Sequence, residues 1–442
     1  MSRLPQRIGA LGFVLAASAS AGPLSAQDTT KAIDNGGVRV ILEYNPGVRP
    51  GIVVLPATGL DSARAIVQRD LDYSDRFEVV TLSNEGGGVG SEGGGVSYGI
   101  YKSLGAAFGV ELTTAGGGVM VRLHDVTAGR VRNQQAFTLP ATTDPSFRLE
   151  VHRIADEVTR WATGTPGAAA SRLLLVSGGR IYQIDSDGEG LTALTPAGQT
   201  ALSPAWSPDG QRFAYTILGN GRGGVTVQPL AGGTGVQAPG TAAALNITPA
   251  FSPDGRLLAY AHSDESGTDV YLANIADRCC AQRLTVGRYA DNLSPTFSPD
   301  GRRIAFVSTR AGPPQIYVMA ADGTDQELLA PFDYGATGAS NAPEWSPDGA
   351  NVVFHREVTG SPQIFLVDAT GRRVRQVTSS GRNEDPTWAP DGRHIAYVSD
   401  RSGLRQLWVI DIETGRVRQL RTPGAARLPA WSRRLSRAAA AP

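Results

Sequence analysis

Ser298-Pro299-Asp300-Gly301-Arg302-Arg303-Ile304-Ala305-Phe306-Val307-Ser308 decides the reading of this chain, because it recurs. Trp206-Ser207-Pro208-Asp209-Gly210 leads into Phe213-Ala214-Tyr215, and Phe251-Ser252-Pro253-Asp254-Gly255 into Leu258-Ala259-Tyr260. Trp345-Ser346-Pro347-Asp348-Gly349 leads into Val352-Val353-Phe354, and Trp388-Ala389-Pro390-Asp391-Gly392 into Ile395-Ala396-Tyr397. Two residues before each aromatic stands a proline: Pro204, Pro249, Pro295, Pro343 and Pro386. A sixth copy, Leu428-Pro429-Ala430-Trp431-Ser432, keeps this start and lacks Pro-Asp-Gly. The six prolines are spaced 45, 46, 48, 43 and 43 residues apart. A period in the forties with strand-forming repeats points to a β-propeller.

Within a repeat, proline presets φ at the turn, aspartate accepts a nearby backbone N–H and glycine supplies a permissive conformation. The turn joins an inner strand to a second strand that is apolar on both faces, as in Ile304 to Val307, because neighbouring blades cover both sides. Small alanines at 214, 259, 305 and 396 let the sheets approach. Arg172 to Val176, Arg180 to Asp185 and Leu191 to Thr195 read as three strands with no proline-aromatic strand before them. Leu428 to Ser432 would supply the missing inner strand and close six blades into a ring, removing exposed sheet edges.

The rest of the chain precedes the repeats. Arg3 and Arg7 followed by apolar Ile8 to Ala19 and small Leu24-Ser25-Ala26 read as a signal peptide over residues 1–26, with a rival cleavage site at Ala19-Ser20-Ala21. The expectation is an exported, periplasmic protein. Residues 27–166 read as an α/β domain. Val38 to Tyr44 and Gly51 to Leu55 are strand candidates, and Asp61 is expected to cap a helix whose face carries Ala63, Ile66, Val67 and Leu71. Phe77 to Leu82, Gly109 to Thr114, Val119 to Val126 and Val131 to Leu139 are further strands, and Tyr98 to Phe108 is expected to be a short helix. The last helix has Asp144 as its expected N-cap, Pro145 at the first turn and an apolar stripe from Phe147 to Trp161. His152 lies off that stripe and is expected to face solvent. The link 168–171 leads to a propeller over 172–432, and 433–442 is a basic, alanine-rich tail.

Composition narrows the function. The chain has 442 residues with 41 basic and 41 acidic side chains, so no charge imbalance favours nucleic acid or an anionic membrane. The glycine-rich Gly86 to Gly95 has no Gly-Lys-Ser/Thr ending and reads as a surface insertion, not a phosphate loop. Asp209, Asp254, Asp300, Asp348 and Asp391 occupy the same turn of different blades, too far apart for one active site. Asp185-Ser186-Asp187-Gly188-Glu189 has its glycine at position four where a calcium loop needs position six, and reads as a hairpin turn. The five histidines form no His-x-x-x-His pair, and there is no Gly-x-Ser-x-Gly elbow. No catalytic residue, metal ligand or cofactor is expected. Cys279 and Cys280, the only cysteines, are adjacent and read as two thiols in a loop in preference to a strained vicinal disulfide, the alternative an oxidising compartment leaves open. What remains is recognition by loops entering the inner strands, which carry Asn246, Asn292, Asn341, Asn383 and Asp385.

Signal peptide, small α/β domain and six repeats of Pro-x-[Trp/Phe]-Ser-Pro-Asp-Gly, together with Val38-Arg39-Val40-Ile41 followed by Gly47-Val48-Arg49-Pro50, make the chain resemble the TolB family, periplasmic components of the Tol–Pal system. The resemblance implies a monomeric adaptor that supports outer-membrane integrity and cell division. It implies contact with TolA through Val38, Arg39, Val40, Ile41, Leu42 and Tyr44. It implies contact with the lipoprotein Pal, and with other outer-membrane lipoproteins, through Leu245, Asn246, Thr248, Asn292, Leu293, Ser294, Asn341 and Asp385. Leu245 and Leu293 stand where the family has more polar residues. Two other readings use the same propeller: a lactonase-like hydrolase with a metal in the channel, and an exported propeller that binds another protein or a glycan.

Overall fold

The computed structural model describes residues 49–82, 96–219, 222–239, 244–276, 280–287, 290–330, 338–422 and 424–436. The signal segment, the Val38 to Tyr44 strand candidate and the glycine-rich stretch lie outside these. The protein is mainly β and propeller-like, with an α/β region at its N-terminal side.

That region is built on one mixed sheet, β2-β1-β3-β4-β5, from β1 (Gly51–Val54), β2 (Glu78–Val80), β3 (Ala106–Ala115), β4 (Gly118–Asp125) and β5 (Arg130–Thr138). β1 is parallel to both of its neighbours, and β3 to β5 form an antiparallel meander. Being central and short, β1 is covered on both faces. Ile52 and Val54 face a core with Val67 and Leu71 of α1 (Asp61–Tyr73) and Val151, Ile154 and Val158 of α3 (Phe147–Thr163). Val53 and Leu55 face a second cluster with Tyr101 of α2 (Tyr98–Ser103).

Most strands and helices fall near their expected places, but α2 ends at Ser103 and β3 begins at Ala106, inside the helix expected over Tyr98 to Phe108, and the caps of α1 and α3 differ. Leu60 occupies the cap of α1 without a side-chain hydrogen bond, and Asp61 is already helical. Ser146 caps α3. Asp144 sits one turn earlier, where its Oδ1 accepts from the Ser146 backbone N–H at 2.7 Å and from its hydroxyl at 2.6 Å. The aspartate therefore closes a side-chain turn ahead of the helix, a competing use of a short acceptor. At the other end Gly164, φ 85°, provides the left-handed stop.

The repeats form one eight-stranded and four four-stranded antiparallel sheets. The eight-stranded one is two meanders joined by a single parallel pairing, Gly223 to Leu245. Glycine permits that approach, since a Cβ there would lie 2.1 Å from Leu245 Cδ1. The inner strands are Thr200–Trp206, Leu245–Phe251, Asn292–Phe297, Ser340–Trp345 and Asn383–Trp388. The last strand in sequence, Arg427–Trp431, pairs antiparallel with Arg172–Ser177, the first strand after the link.

The repeated turn works as its chemistry dictates. In four copies the serine hydroxyl (207, 252, 298, 346) accepts the N–H five residues on at 2.9 Å. The same hydroxyl donates to the aspartate Oδ1 at 2.5–2.6 Å. The aspartate in turn accepts the N–H two residues on. Glycine follows with φ between 68° and 72° in all five copies. These carboxylates are structural. Asp185 to Glu189 is likewise a hairpin turn, closed by Asp185 N–H to Glu189 O at 2.9 Å. One expectation fails here: Cys280 is disulfide-bonded, so the reading of two loop thiols is overturned.

Ala305 is fully buried between the sheets, alongside Val307, Val352 and Phe354. Ala305→Leu forces extra carbons into a packed layer and should lower stability by about 1–3 kcal/mol, read as a reduced denaturation midpoint.

Candidate partner-binding site

Every inner strand carries a proline that cannot donate to the sheet ladder. In each copy the proline and the residue before it are skipped by the pairing with the second strand. The skipped residues are Ser203, Thr248, Ser294, Ala342, Asp385 and Leu428, and all six are left-handed, with φ of 48°, 51°, 53°, 52°, 53° and 50°. Such a backbone is costly for residues with a Cβ and persists only where the surroundings impose it. Six repetitions make it a built feature.

These six residues and their prolines line one cavity of ≈ 770 Å³. The inner strands touch in sequence order, and Arg427–Trp431 touches Thr200–Trp206. Side chains tie neighbouring inner strands where no sheet does. Thr248 Oγ1 accepts the Ser294 N–H at 3.1 Å, and Glu344 Oε1 accepts the Trp388 N–H at 3.2 Å. Asp385 Oδ2 accepts the Leu428 N–H at 3.3 Å, and Thr387 Oγ1 the Trp431 N–H at 2.9 Å. The Trp206 indole donates to Ala430 O at 3.1 Å. Glu344 and Asp385 are the carboxylates among the described lining residues, and Arg433 and Arg434 are the cations. Burial pushes the Glu344 carboxyl up to about 7, against the N–H of Trp388 and the hydroxyl of Thr387, which favour its charged form. Burial also raises Asp385.

Of the residues singled out from sequence, Thr248, Ser294 and Asp385 reach this cavity. Val38 to Tyr44 lies outside the described residues. The asparagines are used differently. Asn292 is fully buried; its amide donates to Asp269 Oδ1 at 3.0 Å and its carbonyl accepts from Arg310 at 3.0 Å. Asn383 repeats this with Gln363 Oε1 at 2.8 Å and Arg401 at 3.2 Å. Asn246 pairs with His262 Nδ1 at 2.7 Å. The Asn292 and Asn383 amides clamp one sheet to its neighbour, while Asn246 meets its cross-strand partner within one sheet; none is presented to a ligand, because a buried amide must find partners inside the protein. Leu293 packs into a hydrophobic cluster, and Leu245 meets Gly223. Asn341 is half-buried. The arginines of these clamps lie over aromatic rings of the second and third strands: Arg310 over Phe306 and Tyr317, Arg401 over Tyr397 and Trp408. Ser203, Ala342, Glu344 and Leu428 also line the cavity and were not singled out. The position before each proline was the signal that could have found three of them.

His152 corrects another expectation. It is fully buried instead of solvent-facing, with Nδ1 2.7 Å from Asp70 Oδ2 and Nε2 3.7 Å from Asp185 Oδ2. Asp187 joins it, as do Arg69, Arg148 and Arg172. A second buried cluster gathers Asp75, His394 and Asp411 with Arg393, Arg416 and Arg418. Both carry donor atoms close enough to surround a cation. Guanidinium groups already neutralise the carboxylates, so the chemistry is that of ion-pair networks.

The family described as TolB beta propeller domain matches residues 162–334 and 331–439, more than half of the chain, and the chain belongs to it. A protein named Tol-Pal system protein TolB from Methylococcus capsulatus is 35% identical over 183 residues, 39% of this chain and 42% of that protein. Its namesake from Chromobacterium violaceum is 31% identical over 230 residues, 50% of this chain and 51% of that protein. The chain thus spans about half the length, or less, of the curated relatives it matches. The crystal structure of TolB from Acinetobacter baumannii superposes with a TM-score of 0.75 at 23% identity, over 88% of this chain and 98% of that one. At that identity the likeness shows the fold, including the α/β region beside the propeller-like sheets.

Two measurements separate wall from clamp. Glu344 is more easily protonated in the folded chain than at its ordinary value of 4.5, so its contribution is complete below pH 4.5 and lost as pH rises through about 7. Thermal midpoints should therefore fall less across that window in Glu344→Gln than in the parent chain. Asn292→Ala leaves Asp269 and Arg310 without their partner and should destabilise by about 1–3 kcal/mol in chemical denaturation.

Proposed function

We propose that this chain is a periplasmic, non-enzymatic adaptor of the Tol–Pal system, acting in outer-membrane integrity and cell division. Membership of the TolB propeller family and the names of its relatives support the system. The observation that carries the mode of action is the convergence of six pre-proline residues on one cavity. A wall of proline, small hydroxyl and aromatic side chains on strained, rigid backbone suits recognition of a protein surface or an inserted peptide.

In this reading the propeller has six four-stranded blades. The strand Arg427–Trp431 closes the ring on Arg172–Ser177, in keeping with their pairing and with the cyclic contacts of the inner strands. Residues 1–26 are a cleaved signal, 27–166 and 172–432 are the two domains, and 433–442 is a tail. Pal binds at the cavity mouth through Thr248, Ser294 and Asp385, with Leu245, Leu293 and Asn341 beside it. Asn246 and Asn292 hold that mouth in shape from within. TolA is met by Val38, Arg39, Val40, Ile41, Leu42 and Tyr44, a segment whose alternating β-branched residues suit pairing with a partner strand.

Calorimetric titration of the mature protein with Pal and with TolA from the same organism tests both contacts. Ser294→Trp and Asp385→Lys should each weaken Pal binding at least tenfold and leave TolA unaffected. Deleting residues 38–44 should do the reverse. Folded parent protein that binds neither partner would refute the reading.

A further inference from the structure

The end of α1 carries two carboxylates, Asp70 inside the helix and Asp75 just beyond it at φ 54°. Each meets a buried imidazole that also faces the propeller. His152 of α3 is fully buried and His394 is 2% exposed. His394 Nε2 lies 3.1 Å from Asp75 Oδ2, and its Nδ1 lies 2.7 Å from Asp391 Oδ2. Asp391 belongs to the fifth Pro-Asp-Gly turn; its Oδ1 accepts the N–H groups of Arg393 and His394, and its Oδ2 takes the imidazole. His152 Nδ1 holds Asp70 at 2.7 Å; its buried Nε2 makes no hydrogen bond and lies 3.7 and 4.0 Å from Asp185 and Asp187, within ion-pair reach.

Carboxylates only accept hydrogen bonds, and a neutral imidazole has one N–H to give. An imidazole that holds an acid on each side must therefore be charged, as the His394 geometry shows. We propose that His152 and His394 are proton-dependent latches that hold the α/β domain on the propeller, and that removing their protons frees the domain while the propeller stays folded. The inference does not depend on whether Pal or TolA binds.

The surrounding charges are compatible with two cationic imidazoles. Facing His152 are Asp70 and Arg69 from α1, Arg148 from α3, Arg172 from the first propeller strand, and Asp185, Asp187 and Glu189 from the turn. Facing His394 are Asp72 and Tyr73 at the end of α1 and Asp75 just beyond it, then Asp391 and Arg393 from the turn. Asp411, Glu413, Arg416 and Arg418 come from the next hairpin. Burial alone would discharge both imidazoles. The aspartates outweigh it, lifting His152 to about 10 and raising His394. The stabilisation is thus complete below the ordinary value of 6.5 and is lost as pH rises through the raised values.

Hydrogen exchange on the full mature protein between pH 7 and 10.5, expressed as protection factors, tests this. Amides 74–76 and the link 164–171 should lose protection about tenfold or more before strands Arg303–Ser308 and Gln315–Ala320 lose any. His394→Gln and His152→Gln should each shift that loss to lower pH. Simultaneous loss at the interface and in the two strands would overturn the proposal. So would unchanged protection across the range, or an identical pH profile in both variants.

Discussion

A proline in the middle of an inner strand is the constraint on which the propeller-like part depends. It removes a donor from the ladder and steers its predecessor out of the right-handed helical region. The chain answers with a left-handed residue that skips one step of pairing, six times at the same place. That skip takes two residues per strand off the sheet and gathers them around one cavity. Backbone groups released there need partners, and the neighbouring strand's side chain supplies them: Thr248 for Ser294 and Asp385 for Leu428. The same substitution in the ladder both opens a cavity and ties the inner strands to one another.

Buried polarity accounts for the rest of the cohesion. Asn292 and Asn383 bridge an acceptor on the preceding sheet and an arginine on their own, and that arginine is spread over two aromatic rings. Each member satisfies the next, the condition under which a buried polar network specifies one arrangement instead of weakening the core. The fifth turn departs from the others because it serves the α/β domain. There Asp391 Oδ2 meets the His394 imidazole, which in turn reaches Asp75.

The repeat was legible because its causes are local. Turn chemistry, apolar second strands and the proline period lie within a dozen residues of one another, and so do the helices and strands of the α/β region. The failures share the opposite property. His152 finds Asp70 across 82 positions, and His394 finds Asp75 across 319. A histidine off an apolar stripe looks solvated until a distant carboxylate covers it. The asparagines misled for a related reason: an amide in a loop looks available, and only the register of the next sheet shows Asp269 or Gln363 already in reach. The cap of α3 shifted because a short acceptor, Asp144, can close a turn just before a helix as readily as it can cap one, whereas Asp61 was taken up as the first residue of α1.

Direction within the blades then fixes which end is left for a partner. Each inner strand runs from its entry loop toward the turn that follows it, so entry loops and turns lie at opposite ends of the sheets. The ion pairs that join the α/β domain to the propeller fall at the turn end: Arg69 and Arg148 to Asp187, Asp75 to His394 and Arg416, Asp156 to Arg434. The α/β region fastened there meets the fifth repeated turn, while Asp209, Asp254, Asp300 and Asp348 of the other four stay exposed. It leaves the entry loops, where the copies differ most, and the left-handed residues beside them. Variation is tolerated where backbone hydrogen bonding is already settled by neighbours. The clamps at Asn292 and Asn383 settle it at that end of their sheets, so the loops entering those two strands can differ without loosening them.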